Sequence, residues 1–178
     1  MKVIGVSGMP GSGKSIISDK CVEEGAIIVS MGDIIREEAK KRGESTGETA
    51  VNLRKEHGEY IVSELTIQKI KKLLNEGNEK IVVEGIRSHH EVELFKENFE
   101  SFMIVSVFAS PITRFERLKI RMREDDSQDY DGFLERDYRE LGFGLGNVIS
   151  LSDKMIINES DLESYSKKIE ELLNEIDF

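Results

Sequence analysis

Five short, mainly apolar runs divide the chain, and none of them alternates apolar with polar positions. They cover residues 3–6, 26–29, 81–83, 102–108 and 155–157. Continuous runs rich in β-branched residues are typical of strands that are buried on both faces, as in a parallel sheet. The pattern therefore predicts five buried strands.

Helical periodicity fills most of the intervals between these runs. The predicted helices cover about residues 16–24, 34–42, 60–74, 111–123 and 162–176. Gly25, Gly43 and Gly77 follow the first three helices, where glycine commonly ends a helix. The last helix has a single apolar stripe, which indicates that it packs on the sheet. Strands that alternate with helices predict an α/β fold with a parallel sheet and right-handed crossovers.

Two segments do not fit this alternation. Residues 43–60 are polar, contain glycine and suggest two short helical pieces. Residues 124–147 are charged at first and then rich in glycine, with a flexible loop predicted at 142–146. Both segments are predicted to be mobile insertions rather than parts of the core.

Composition narrows the class of protein. A length of 178 residues predicts one domain, and 25 basic against 35 acidic residues give a net charge of -10. This charge argues against a nucleic-acid partner but not against an anionic small molecule, which responds to the local field. A single cysteine excludes a disulfide scaffold. No apolar run approaches the ~18 residues that span a membrane, so the expectation is a soluble cytoplasmic protein without a membrane partner.

The strongest motif follows the first predicted strand and opens the first predicted helix. It matches the phosphate-binding pattern G-x-x-x-x-G-K-[ST]. Its residues are Gly8, Met9, Pro10, Gly11, Ser12, Gly13, Lys14 and Ser15. The glycines let successive backbone N–H groups point at phosphate oxygens, and the helix N-terminus adds its positive dipole end. Lys14 is predicted to bind the β- and γ-phosphates, and the Ser15 hydroxyl to ligate Mg²⁺.

The sequence also indicates which nucleotide and which metal ion the motif binds. The sequence contains no N-K-x-D stretch of the kind that reads guanine, so ATP is favoured over GTP. Glu84 ends the third predicted strand, where an acidic residue commonly holds Mg²⁺ through water. ATP and Mg²⁺ are therefore the predicted cofactors.

Arginines are concentrated in the second half of the chain. Six of the ten lie within 26 residues, at positions 114, 117, 121, 123, 136 and 139. Arg114, Arg117 and Arg121 have the spacing of one helix face, which either handles phosphates or forms a solvated stripe paired with glutamates. Arginine can bind a phosphate through two parallel hydrogen bonds, and this chain carries a phosphate-binding motif. The interpretation that these arginines handle phosphates is therefore favoured.

Two further arginines follow predicted strands at the edge where parallel sheets bind ligands. They are Arg36 and Arg87. Asp33 precedes Arg36 by three residues, and either it stabilises a helix N-terminus or it has a catalytic role. All three are candidates for the site.

The motifs together resemble the nucleoside monophosphate kinase branch of P-loop proteins, and in particular archaeal adenylate-kinase-related proteins of unassigned substrate. Residues 30–36 (Ser-Met-Gly-Asp-Ile-Ile-Arg) and 84–87 (Glu-Gly-Ile-Arg) are similar to that family's two acceptor-phosphate segments. The resemblance implies acceptor binding by Arg36 and Arg87. Residues 84–87 depart from the family pattern, with Glu in place of Asp and no proline.

The second half of the chain resembles the lid region of the same family. Residues 116–121 (Glu-Arg-Leu-Lys-Ile-Arg) are similar to the helix that enters the lid, which implies that Arg117 stacks on the donor base and that Arg121 contacts phosphates. Residues 123–126 (Arg-Glu-Asp-Asp), followed by Arg136, are similar to the lid exit. The resemblance implies that Arg123 and Arg136 close on the transferring phosphoryl group. Residues 152–158 (Ser-Asp-Lys-Met-Ile-Ile-Asn) look more like the last strand of dephospho-coenzyme A kinases.

The resemblance also implies the architecture. It implies a P-loop fold with a five-stranded parallel sheet of order 2-3-1-4-5 flanked by helices, in a single domain of residues 1–178. Residues 43–60 would form an acceptor-binding insertion and 123–140 a lid, whose closure would exclude water.

The leading hypothesis is transfer of the γ-phosphoryl group from Mg·ATP to a small nucleotide-like acceptor. A dephospho-coenzyme A-like acceptor is one alternative. Another is an ATP-dependent switch or assembly factor with slow ATPase activity, and a third is a binding module that has lost catalysis. At this point the sequence leaves open the identity of the acceptor and the oligomeric state.

Overall fold

The computed structural model describes residues 1–122, 126 and 128–178, and its centre is one sheet of five parallel strands. The strands are β1 (Lys2–Gly8), β2 (Ile27–Ser30), β3 (Lys80–Glu84), β4 (Met103–Phe108) and β5 (Lys154–Ile157). Their order across the sheet is β2-β3-β1-β4-β5. The predicted α/β fold and strand order are confirmed.

Helices connect the strands, as parallel pairing requires. In the described ranges they are α1 (Lys14–Glu23), α2 (Met31–Arg42), α3 (Thr46–His57), α4 (Ile61–Asn75), α5 (His89–Asn98), α6 (Pro111–Arg121), α7 (Tyr130–Gly142), α8 (Leu145–Ser150) and α9 (Leu162–Glu175). Within those ranges no helix combines the length and the apolar character that a membrane crossing needs.

The core has two halves, one on each face of the sheet. Val3, Ile81 and Val83 belong to the cluster that includes side chains of α4, α5 and α8. Ile4 and Val82 belong to the opposite cluster, which includes side chains of α1 and α9. Neighbouring residues of one strand thus enter different halves because side chains alternate across a strand. This double burial explains why the strands are continuously apolar in sequence.

The described parts of the two irregular segments are more ordered than their composition predicts. In residues 43–60 the prediction of two helical pieces is wrong, because a single helix, α3, begins at a capping box formed by Ser45 and Glu48. In the second segment the predicted flexible loop at 142–146 is also wrong. Only Phe143 and Gly144 separate α7 from α8, and Leu145 and Val148 are buried.

The carboxyl ends of three neighbouring strands bring candidate residues to one edge of the sheet. In register, Ser30 of β2 lies beside Glu84 of β3, which lies beside Val6 of β1. Two residues beyond Val6, β1 ends at Gly8 and the phosphate motif begins. Ligands bind at this edge in open α/β sheets.

Candidate functional site

The phosphate motif forms a tight turn between β1 and α1. Gly11 and Gly13 have positive φ values of 79° and 96°. A Cβ on Gly11 would lie 2.8 Å from the carbonyl oxygen of Arg114, and one on Gly13 would overlap the side-chain amide nitrogen of Asn158. Only glycine therefore fits these positions, and the backbone can curl as an anion-binding turn requires. This is the cradle that a polyphosphate would fill.

We expect Gly13→Ala to remove ATP binding and to lower the free energy of unfolding by about 1–2 kcal/mol, the cost of a left-handed conformation with a side chain. Gly47→Ala is the matched control. Gly47 lies in α3 with no atom within 4 Å of an added Cβ, and alanine is favoured over glycine in a helix. Calorimetric ATP titration and urea unfolding measure both effects, and unchanged ATP affinity in Gly13→Ala would contradict the prediction.

Lys14 is the first residue of α1 and lies where three cavities meet. Its Nζ donates to the carbonyl oxygen of Gly8 at 3.2 Å, and its side chain lines all three cavities. Burial lowers the pKa of Lys14, with Glu84 and Glu140 acting in the opposite direction. The two carboxylates thus do not fully offset the cost of burying the ammonium group. Phosphate oxygens would supply the missing negative charge.

The first cavity, of about 260 Å³, lies against the phosphate turn and is called here the donor cavity. Ser15, Glu84, Arg117 and Arg121 line it together with the turn. The predicted donor-side residues are therefore brought together. Arg123 lies outside the described residues.

The residues of the donor cavity fit a Mg²⁺ ion that arrives with a nucleotide. Ser15 offers a hydroxyl and Glu84 a carboxylate, and the Ser18 hydroxyl donates to that carboxylate and orients it. Across the described ranges there is no cluster of three or more His, Cys, Asp or Glu residues that could hold a metal. Mg²⁺ in such sites takes few protein ligands and relies on phosphate and water oxygens.

A larger cavity of about 740 Å³, which Lys14 also lines, is called the acceptor cavity. The ends of β2 and β3 and parts of α2, α3 and α4 surround it. The charged and aromatic residues that line it are Lys14, Arg36, Arg54, Glu59, Tyr60, Glu84, Arg87, Glu91 and Phe143. Arg36 donates from Nε to Asp33 at 2.9 Å. The structure thus places Asp33 as a partner that holds Arg36.

A third cavity of about 200 Å³ shares lining residues with each of the other two and is called the central cavity. Arg87, Arg121, Arg136 and Glu140 line it with Lys14. Arg87 Nε lies 3.1 Å from a carboxylate oxygen of Glu140. Arg121 and Arg136 both bind the buried carboxylate of Asp126, at 2.6 and 2.9 Å. Predicted site arginines that lie far apart in the sequence therefore line the same cavity.

Arg114 does not belong to the phosphate-facing group that helical spacing suggested. Its side chain is buried, with 3% of its surface exposed, and it pairs with Asp137 of α7. Arg117 and Arg121 do line the donor cavity. The prediction that Arg114 handles phosphates is wrong because the phosphate turn and α7 cover the start of α6.

Sequence reasoning missed three residues of the site. Asn158 donates to the carbonyl oxygen of Ser12 at 2.8 Å, and its own carbonyl oxygen accepts from Arg117 at 3.1 Å. Asn158 could have been identified from the sequence because it is a polar residue directly after the fifth apolar run. Arg54 was a basic residue within an insertion already assigned to the acceptor. Glu140 carried no signal, since an acidic residue on an amphipathic helix is typical of a solvated face.

Comparison with known proteins shows the family of this chain. A family profile described as an AAA domain matches residues 4–140. A UPF0200 protein from Methanothermobacter thermautotrophicus is 49% identical over 176 residues, covering 99% of this chain and 91% of that protein. A second, from Thermococcus onnurineus, is 44% identical and covers 98% of this chain and 97% of its own length. The chain belongs to the UPF0200 family.

The fold of this UPF0200 chain has solved counterparts. The crystal structure of shikimate kinase from Bacteroides thetaiotaomicron superposes with a TM-score of 0.63 at 13% identity, covering 99% of this chain and 98% of that one. At this identity the likeness shows the fold alone. The chain therefore has a P-loop kinase-like fold.

Proposed function

We propose that the protein transfers the γ-phosphoryl group of Mg·ATP to a nucleotide-like acceptor. The observation that supports this most is the position of Lys14 at the junction of the donor and acceptor cavities. Phosphoryl transfer needs both substrates in line, with positive charge where they meet, and little covalent chemistry from the protein. A shared lysine between two cavities is the arrangement that this reaction requires.

On the donor side, the phosphate turn binds the triphosphate and Lys14 neutralises charge on its β- and γ-phosphates. Arg121 and Arg123 stabilise the transferring phosphoryl group, and Arg136 does so from the central cavity. Arg117 contacts the donor base, as the family resemblance implies. Ser15 and Glu84 would hold Mg²⁺, which supplies charge neutralisation between the β- and γ-phosphates.

On the acceptor side, Arg36 and Arg87 bind the acceptor's phosphate, and Asp33 positions Arg36. Residues 43–60 contribute a wall of the acceptor cavity through Ala50, Arg54 and Glu59. This contribution supports the interpretation of that segment as the acceptor-binding insertion. The cavity's size and its combination of aromatic rings with arginines suit a nucleotide better than a small sugar acid.

The direct test is a coupled assay of ADP formation from Mg·ATP with a panel of nucleoside monophosphates and dephospho-coenzyme A. We expect at least one acceptor to be phosphorylated, and mass spectrometry of the product identifies the site of transfer. The proposal is wrong if ATP binds and no acceptor in the panel gains a phosphate.

A second candidate function is an ATP-dependent switch. It is favoured by Glu84, which lines both the donor and the acceptor cavity and could orient a water molecule when no acceptor is present. ATP hydrolysis without an acceptor, stimulated by a partner protein, would select this function over phosphotransfer.

Arg36→Ala should raise the acceptor KM by about 10- to 100-fold, because a charge-assisted hydrogen bond to phosphate is lost. The affinity for ATP should not change. Arg42→Ala is the matched control, since Arg42 lies on the same helix but pairs with Glu56 at 2.9 Å and does not line the acceptor cavity. Steady-state kinetics with both substrates varied separates the two effects. Equal KM values in the two variants would contradict acceptor binding by Arg36.

A further inference from the structure

The inward face of α7 carries charge rather than only apolar side chains. Phe133, Asp137 and Glu140 recur at spacings of four and three residues and are all buried, which places them on one face. Asp137 is 6% exposed and Glu140 is 9% exposed. A buried carboxylate is costly unless it is paired and hydrogen-bonded. The position of α7 therefore depends on the groups that pair with these two residues.

Asp137 is paired by Arg114 of α6 in a bidentate arrangement, with N–O distances of 2.8 and 2.5 Å. The same guanidinium donates from Nη1 to the carbonyl oxygen of Pro10 at 3.2 Å, and from Nε to that of Ala109 at 3.2 Å. Its Cζ lies 4.9 Å from the ring centroid of Phe133. One buried side chain thus joins the phosphate turn, the start of α6 and the inward face of α7.

The same helix carries two residues of the central cavity. Arg136 binds Asp126, which also binds Arg121, and Glu140 binds Arg87. Arg87, Arg121, Arg136 and Glu140 all line the central cavity with Lys14. The position of α7 consequently decides how the charges around Lys14 are arranged on both the donor and the acceptor side.

We infer that Arg114 and Asp137 are a positioning pair that couples the phosphate turn to α7, so that binding of a polyphosphate at the turn fixes Arg136 and Glu140 at the central cavity. The link is the carbonyl group of Pro10, whose hydrogen bond to Arg114 depends on the conformation of the turn. A ligand that selects one conformation of the turn thereby selects one position of α7. The consequence for catalysis rests on the proposed function, but the coupling itself does not.

Asp137→Asn tests this inference, because it keeps the size of the side chain and one acceptor oxygen and removes the charge. Hydrogen–deuterium exchange is measured with and without a nonhydrolysable Mg·ATP analogue. In the natural protein we expect protection of peptides from both the phosphate turn and α7. In Asp137→Asn we expect protection of the turn alone. We also expect a kcat lower by up to about 10²-fold, the cost of misplacing groups at the reacting atoms by about 1 Å, with a much smaller change in the ATP affinity.

Asp153→Asn is the matched control. Like Asp137, Asp153 accepts from a cation, Lys96 at 3.2 Å, and it accepts in addition from the backbone N–H of Ile104 at 2.8 Å. Neither contact involves the phosphate turn or α7. Asp153→Asn should retain the protection of both the phosphate turn and α7, and the kcat of the natural protein.

The double variant Arg114→Met with Asp137→Leu supplies a second test, in which both charges of the pair are removed. Well-packed apolar residues can replace a buried ion pair without loss of stability. It should fold and should also lose the protection of α7.

The possible results of these experiments distinguish failure of the coupling from failure of the proposed function. If the analogue protects the turn but not α7 in the natural protein, the coupling is wrong. It is also wrong if Asp137→Asn retains the protection of α7 or if Asp153→Asn loses as much. If the coupled protection is present and depends on Asp137 while no acceptor is phosphorylated, the positioning pair stands and the proposed function fails.

Discussion

Lys14→Met should lower the rate of phosphoryl transfer from Mg·ATP by about 10²- to 10³-fold, the usual effect of removing one charge-stabilising donor from a transition state. Lys14 is the residue that lines the donor, acceptor and central cavities together. Among the residues that the structure describes, no other cationic side chain lines both the donor and the acceptor cavity. Single-turnover measurement of acceptor phosphorylation gives the rate of the chemical step.

The same variant should not destabilise the free protein. Burial lowers the pKa of Lys14, so the folded state disfavours its charged form, and methionine removes that penalty while keeping most of the volume. We expect the free energy of unfolding without nucleotide to be unchanged or higher by about 0.5–2 kcal/mol, as for other strained functional residues. Lys40→Met, at an exposed position of α2, is the control and should change neither quantity. A Lys14→Met protein that transfers phosphate normally would contradict the proposed role of Lys14.

Arg114→Met should lower the free energy of unfolding by about 3–5 kcal/mol, because it leaves the buried carboxylate of Asp137 without its partner. The side chains of Arg114 and Asp137 are 4% and 9% exposed, so water cannot replace the lost contacts. Asp137→Leu should have a similar effect for the opposite reason, an unpaired buried guanidinium. Urea unfolding measures both values.

The double variant, with both changes, should be more stable than either single variant, since no buried charge is then left alone. The exposed pair Arg42 and Glu56 is the control, with side chains that are 25% and 49% exposed. Arg42→Met should cost less than about 1 kcal/mol, as for most surface ion pairs. If the effects of Arg114→Met and Asp137→Leu simply add, the two residues do not form the energetic unit that the geometry indicates.

The parts of the candidate site whose position could be predicted from the sequence are those whose geometry is local in sequence. The phosphate turn needs eight consecutive residues with particular backbone freedom, and residues 8–15 supply them directly. Arg36 and Arg87 were predicted to lie at one edge of the sheet because each follows a strand, and Glu84 was predicted to end a strand at the same edge. Topology alone was sufficient to bring these side chains to the acceptor cavity.

The errors concern side chains whose role depends on a distant partner. Helical spacing placed Arg114 correctly on a face of α6, but it did not indicate that α7, 23 residues further on, would cover that face with Asp137. The glycines of residues 142–146 suggested a flexible loop, whereas they permit a tight junction in which Gly144 has a φ of 100°. Asn158 contacts the phosphate turn across 146 residues of sequence.

The sequence by itself determined the parallel sheet, the phosphate turn and the set of arginines available to the site. Apolar periodicity and glycine chemistry act over a few residues, so they can be interpreted without knowledge of the rest of the chain. Only the tertiary structure decided which arginines face a cavity and which are buried in ion pairs. Guanidinium and carboxylate groups occur both in water and in buried, matched pairs. Packing between distant helices determines which of the two environments each one occupies.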